Sequence, residues 1–162
     1  MTDFTGKTAA VTGSSGIGLG AALLLARSGA RVFLAGIDAG LNEEAAVLAA
    51  GEGLDMTLHQ VDVADEDSVR SWAGQIAGET DVLHALVNAA GQQTYGTVED
   101  TGPADWDHCM AVNLRSYYLT SHVLYPLLKA AGGASVVHVS SVQGHNNPVS
   151  YTHLTLPTID PV

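Results

Sequence analysis

One cysteine, Cys109, stands in the 162 residues, so no internal disulfide can form. Bases are scarce too: six lysines and arginines against seventeen aspartates and glutamates give a formal charge of −11. Long-range repulsion therefore argues against nucleic acid and membrane surfaces as partners. The acids read instead as a solvated surface that aids solubility. No apolar stretch reaches membrane-spanning length. The opening "MTDFTGKTAAVTG" lacks a basic segment followed by an apolar run, so no signal peptide is expected and the cytoplasm is the default location. Seven histidines are scattered without ligand-like spacing, and no metal site is expected.

What is present is a globular composition, 46% hydrophobic and 14% charged, in a chain long enough for one domain with a core. Short β-branched runs alternate with helical patterns. Strands are predicted over 7–12, 31–36, 56–63, 82–91 and 134–141. Between them, helices are predicted over 16–29, 41–51, 65–78 and 105–133, the first two closed by Gly29 and Gly51. Strand and helix alternate five times without a repeat period or linker, which predicts an α/β domain with a parallel sheet and helices on both faces. After Ser141 the regularity stops.

The first strand ends in "TGSSGIG", Thr12 to Gly18, and a helix follows at once. Glycines in such a turn let the backbone approach a pyrophosphate, and the helix N-terminus adds free N–H groups and a positive dipole. The strand–turn–helix–strand context makes this a nucleotide-binding signal rather than a plain turn. Asp38, just past the second strand, reads either as an acceptor for an adenosine ribose or as a helix N-terminal acid.

Here the chain resembles the short-chain dehydrogenase/reductase family. "TGSSGIG" resembles its glycine fingerprint, with Gly13, Ser15, Gly16, Ile17 and Gly18 toward the cofactor. "VDV" (Val61–Val63) resembles its adenine-contacting segment, giving Asp62 and Val63. "VNAAG" (Val87–Gly91) resembles the "NNAG" motif, giving Asn88, Ala89 and Gly91. "VNL" resembles the helix carrying the catalytic asparagine, here Asn113, and "VSSVQG" the strand end carrying the catalytic serine, here Ser141. The match runs from Lys7 to about Asn147. Read alone, Asn113 could instead bridge backbone in a kinked helix, and Ser141 could be an ordinary turn serine.

The resemblance implies a Rossmann-type doubly wound parallel sheet, truncated here after the fifth strand. It implies hydride transfer between NAD or NADP and a small-molecule alcohol or carbonyl substrate. Ser141 would hydrogen-bond the substrate oxygen, and Asn113 would hold a water of the proton relay. A tyrosine would be the acid or base, its pKa lowered by a lysine four residues on. The intact protein is expected to be a homo-oligomer, a tetramer in this family. A non-catalytic dinucleotide-binding or redox-sensing module on the same fold is the competing reading.

Two departures stand out. Only Ser14 and Ser15 separate Gly13 from Gly16, where the family has three residues. Members preferring NAD usually carry an acid where Gly36 stands, and members preferring NADP a base at the position of Ile37 or Ser15. Both basic positions are empty and Asp38 would repel a 2′-phosphate, which favours NAD.

Tyr151 is the last tyrosine, and Thr155 stands where the lysine is needed. A free phenol titrates near pH ~10 and is a poor base at neutral pH. Val149 to Thr158 also read as the translation of a transposase-type sequencing adapter, followed by three codons of variable index and then Val162. The expectation is a native domain over 1–147, a non-native tail over 148–162, and no turnover. His145, Asn146 and the "GQQTYG" stretch (Gly91–Gly96) can line a substrate mouth or form plain surface loops.

Overall fold

A computed structural model describes residues 3–141 of the chain, except 94 and 98. The tail over 148–162, with Tyr151, and the loop residues His145 and Asn146 lie outside the described residues. Five strands alternate with helices: β1 (Thr8–Thr12), α1 (Gly16–Arg27), β2 (Arg31–Gly36), α2 (Ala39–Gly51), β3 (Met56–Gln60), α3 (Glu66–Ala77), β4 (Ala85–Asn88), α4 (Pro103–Met110), α5 (Ser116–Ala130) and β5 (Ser135–His138). A π-helical turn, Ala111–Arg115, joins α4 to α5. All pairings are parallel, in the order β3-β2-β1-β4-β5. Parallel α/β architecture was the sequence expectation, and among the described residues β5 is an edge strand.

Strand alternation divides the core. Ala9, Val11, Val32 and Leu34 face one way and pack against Ala22 and Ala26 of α1 and Ala45 of α2. Ala10, Phe33, Ala35 and Leu86 face the other way and meet Trp72, Ile76, Leu119 and Leu124 of α3 and α5. Alanine on the inner faces of α1 and α2 lets those helices sit close on the sheet. No helix among the described residues is long and apolar enough to cross a membrane.

Element ends differ from expectation for local reasons. The glycine that closes α2 is Gly53 (φ +66°), not Gly51, and Leu54 N–H then reaches back to the Ala49 carbonyl. β3 stops at Gln60 because the Asp62 carboxylate turns the chain by accepting the Ala64 N–H at 2.8 Å. The predicted long helix over 105–133 begins at Pro103 and contains the π-helical turn.

At the opposite end of the sheet the half-buried His84 ties two strands together. Its Nδ1 accepts the Thr8 N–H at 3.1 Å. The Thr8 hydroxyl proton is committed elsewhere, to the Val82 carbonyl. Burial, with the neighbouring Lys7 charge as a smaller cause, holds the imidazole below its ordinary range. The unfolded chain therefore takes up this proton at higher pH than the folded one. Stability is full above the unfolded pKa of about 6.5 and falls as pH drops through that value toward the folded pKa. Denaturant midpoints should decline over this window, and His84→Asn, which keeps an acceptor but cannot titrate, should flatten this part of the slope. An unchanged slope in that variant would remove His84 as the cause.

Candidate functional site

The parallel register brings Thr12, Asn88 and His138 to one edge of the sheet, with Gly36 beside them. A cleft opens outside the carboxyl ends of the strands, where β1 separates the two directions of winding.

The turn from β1 to α1 forms one wall. Thr12 is buried, and its hydroxyl oxygen accepts both the Ala89 and the Ala90 N–H, each at 3.1 Å. That fastens the turn to the end of β4. Gly13 has φ +100°, and a Cβ there would stand 3.2 Å from the Ala90 nitrogen. At Gly18 a Cβ would stand 2.1 Å from the Gly13 carbonyl oxygen. The turn can be this compact only with glycine at both places. Ser15 is the N-cap of α1 but makes no side-chain cap bond, and no acid lies in the first helical turn. The N-terminal N–H groups and the positive end of the helix dipole thus face the cleft with no carboxylate from the helix's own first turn. Ile17 projects beside them, 66% exposed.

One cavity, of about 330 Å³, lies between this turn and the ends of β2 and β3. Ser14, Ser15, Gly36, Asp38, Asp62 and Val63 line it, with Ala89 and Gly91 closing the far side. Asp38 caps α2: one carboxylate oxygen accepts the Leu41 N–H at 2.9 Å. Asp62 commits one oxygen to the Ala64 N–H, while its own N–H donates to the Ser68 hydroxyl at 3.0 Å. Each acid therefore serves its local turn and keeps a second oxygen. At Asp38 the capping and ribose-acceptor readings are geometrically compatible.

A second, open cavity is lined by Ile17 and contains both Asn113 and Ser141, with Cys109, Tyr117 and His138. Asn113 sits at the middle of the π-helical turn, a feature frequent at functional sites. Its Oδ1 accepts the Gln92 N–H at 2.8 Å, and its Nδ2 donates to the Gln92 carbonyl at 2.7 Å and the Cys109 carbonyl at 3.0 Å. The side chain thus stitches the segment after β4 to the helix. Ser141 is exposed, three residues beyond the end of β5. Tyr117 supports that strand end: its hydroxyl donates to the Val139 carbonyl at 2.8 Å and its ring stacks on His138 at 5.2 Å. Burial pushes the Tyr117 phenol up, so at neutral pH it remains a donor. Asn88 is fully buried; it donates to His138 Nδ1 at 3.1 Å and accepts from the Thr120 hydroxyl at 2.8 Å.

Thr12, Tyr117 and Thr120 are parts of the site that sequence reading passed over. The available signal was a buried hydroxyl at Thr12 and Thr120, since such groups require partners. The partners lie 77 and 32 residues away and could not be named from spacing.

Comparison with known proteins places these features in company. A family model described as short chain dehydrogenase matches residues 7–153. A D-beta-hydroxybutyrate dehydrogenase of Cupriavidus necator is 36% identical over 143 residues, covering 86% of this chain and 54% of that protein. A cyclopentanol dehydrogenase of a Comamonas species is 37% identical over 140 residues, covering 85% and 56%. Among solved structures, a metagenomic short-chain oxidoreductase in complex with NADP superposes with a TM-score of 0.84 at 30% identity, covering 92% of this chain and 68% of that one. The chain spans about half the length of the curated relatives it matches.

Proposed function

The chain belongs to the short-chain dehydrogenase family, and from that premise we propose that it is the dinucleotide-binding part of an oxidoreductase that interconverts an alcohol and a carbonyl. The observation that carries the reading is the α1 N-terminus, without a side-chain cap, set over the compact glycine turn, with two cavities that share Ala89, Gly91 and Gln92. The residues fit the cofactor. Gly13, Ser15, Gly16, Ile17 and Gly18 would seat the pyrophosphate on backbone N–H groups. Asp38, Asp62 and Val63 would meet the adenosine, while Asn88, Ala89 and Gly91 would form the floor beneath it. When bound, the nicotinamide supplies the hydride acceptor or donor. Ser141 would hydrogen-bond the substrate oxygen, and Asn113 would order the adjoining loop, holding water through the rim it fixes at Gln92.

Within this reading the cofactor is NAD rather than NADP. Among the described residues lining the adenosine-side cavity there is no lysine or arginine, while Asp38 and Asp62 are both present. A 2′-phosphate would meet carboxylates without a compensating cation. Proton transfer is the missing function: in the sequence Thr155 stands four residues after Tyr151, where the family scheme needs a lysine. We further propose that 148–162 is a non-native tail and that the intact protein is a homo-oligomer; a genomic read across Asn147 tests the first.

Calorimetric titration with NAD and NADP, beside a turnover assay on secondary alcohols, tests the whole. NAD should bind at least about tenfold more tightly than NADP, a difference of ~1.4 kcal/mol, with no steady turnover. Failure to bind either nucleotide would sink the reading, and sustained turnover would sink the account of the phenol.

A further inference from the structure

The core of the sheet runs out into solvent at β5. In the parallel register Leu34, Val11, Val87 and Val137 stand in one row across the sheet, and Phe33, Ala10, Leu86 and Val136 in the next. Strand alternation puts the two rows on opposite faces. Leu34, Val11, Phe33, Ala10 and Leu86 are fully buried, whereas Val137 is 50% and Val136 44% exposed. Among the described residues no strand pairs beyond β5. The backbone is open on that side too. Ser135 and Val139 turn their N–H groups to the His84 and Asn88 carbonyls, on the β4 side, each at 2.9 Å. The N–H and C=O groups of Val136 and His138 therefore point away from β4. Charge does not guard this edge. The chain carries −11, yet no Asp, Glu, Lys or Arg stands between Lys129 and Asp160. β3, the other edge, has Asp55 before it and Asp62 after it. Charges of that kind keep open strands from pairing.

We propose that a second copy of this chain pairs with β5, antiparallel, across a twofold axis at Val137. A twofold contact needs a surface that matches itself. β5 provides one: Val136 and His138 exchange backbone N–H···O=C bonds with His138 and Val136 of the second copy. Val137 then faces its own mate at a non-hydrogen-bonded position, where side chains stand closest and a β-branched pair packs well. The row from Leu34 to Val137 continues into its image, and the two sheets become one. An axis normal to the sheet keeps both α5 helices on one face. Tyr118, 66% exposed on α5, lines the same open cavity as Val139 and Ser140 and so lies beside the seam. The strand contributes only four residues from each copy. A contact that small makes a concentration-dependent dimer rather than a permanent one. The inference is independent of the dinucleotide reading.

Sedimentation of the full chain over a concentration series tests this. The unaltered chain should shift from monomer toward dimer as its concentration rises. Val137→Lys sets like charges face to face and should raise the dissociation constant at least about tenfold. Gln60→Lys, at the exposed end of β3, should leave it unchanged. Cysteine trapping checks the register. With Cys109→Ser removing the native thiol, Val137→Cys should give a disulfide-linked dimer on mild oxidation, because facing antiparallel positions bring their Cα atoms within disulfide reach. Gln60→Cys in the same background should not. A chain that stays monomeric at every concentration would overturn the proposal. So would a dimer that Val137→Lys leaves intact or that Val137→Cys fails to link, since the contact would then lie elsewhere. Should the lysine unfold the chain, which circular dichroism would show, the cysteine variant decides alone.

Discussion

Gly18→Ala should abolish dinucleotide binding and lower the melting temperature sharply. The added carbon would stand 2.1 Å from the Gly13 carbonyl oxygen and 2.8 Å from that of Thr12. Both obstacles are backbone, and neither can rotate away like the end of a flexible side chain. The turn cannot yield as a unit either, because the Thr12 hydroxyl holds it to Ala89 and Ala90. α1 must therefore lift from the sheet, which displaces the N–H groups that face the cleft. Overpacking of this kind costs about 1–3 kcal/mol, and more where the surroundings are rigid. A loss of ~3 kcal/mol would weaken binding more than a hundredfold. Gly20→Ala is the control: nothing lies within 4 Å of its Cβ position, and a mid-helix alanine is favourable. That variant should melt at or above the parent. Near-parental NAD affinity in Gly18→Ala, measured by calorimetry, would refute the geometry of the turn.

Trp72→Ala should cost about 3–5 kcal/mol, a large fraction of the stability of a small domain. Trp72 heads the fully buried side chains, at 1% exposed, and fills the layer between α3 and the sheet beside Phe33 and Leu86. Truncation leaves a cavity that rigid strands cannot close. Trp72→Phe should cost far less. The indole N–H is buried without a partner among the described residues, so phenylalanine removes an unsatisfied donor along with the lost volume. Urea unfolding of the two variants decides the matter: equal losses would mean that the indole N–H contributes after all.

Much of the fold was legible because its signals are local. The alternation of Ala9, Ala10 and Val11 across two faces, and the glycine turn opening a helix, are written in neighbouring residues. What escaped depends on distant partners. No periodicity reveals a π-helical turn at Asn113, whose amide binds the Gln92 backbone 21 residues away. Asp38 was legible as two alternatives, and the structure gives capping to one oxygen while leaving the other unassigned. Asn113 shows the same limit: sequence named the residue, while its bonds to Gln92 and Cys109 came only with the fold.

Thr12 has one more consequence. A single oxygen fastens both lips of the cleft, one from the start of the chain and one from its middle. The cleft therefore has no hinge along its spine. Anything entering must fit between jaws already set, and accommodation is left to the flanks, at Ile37 on one side and Gln92 on the other.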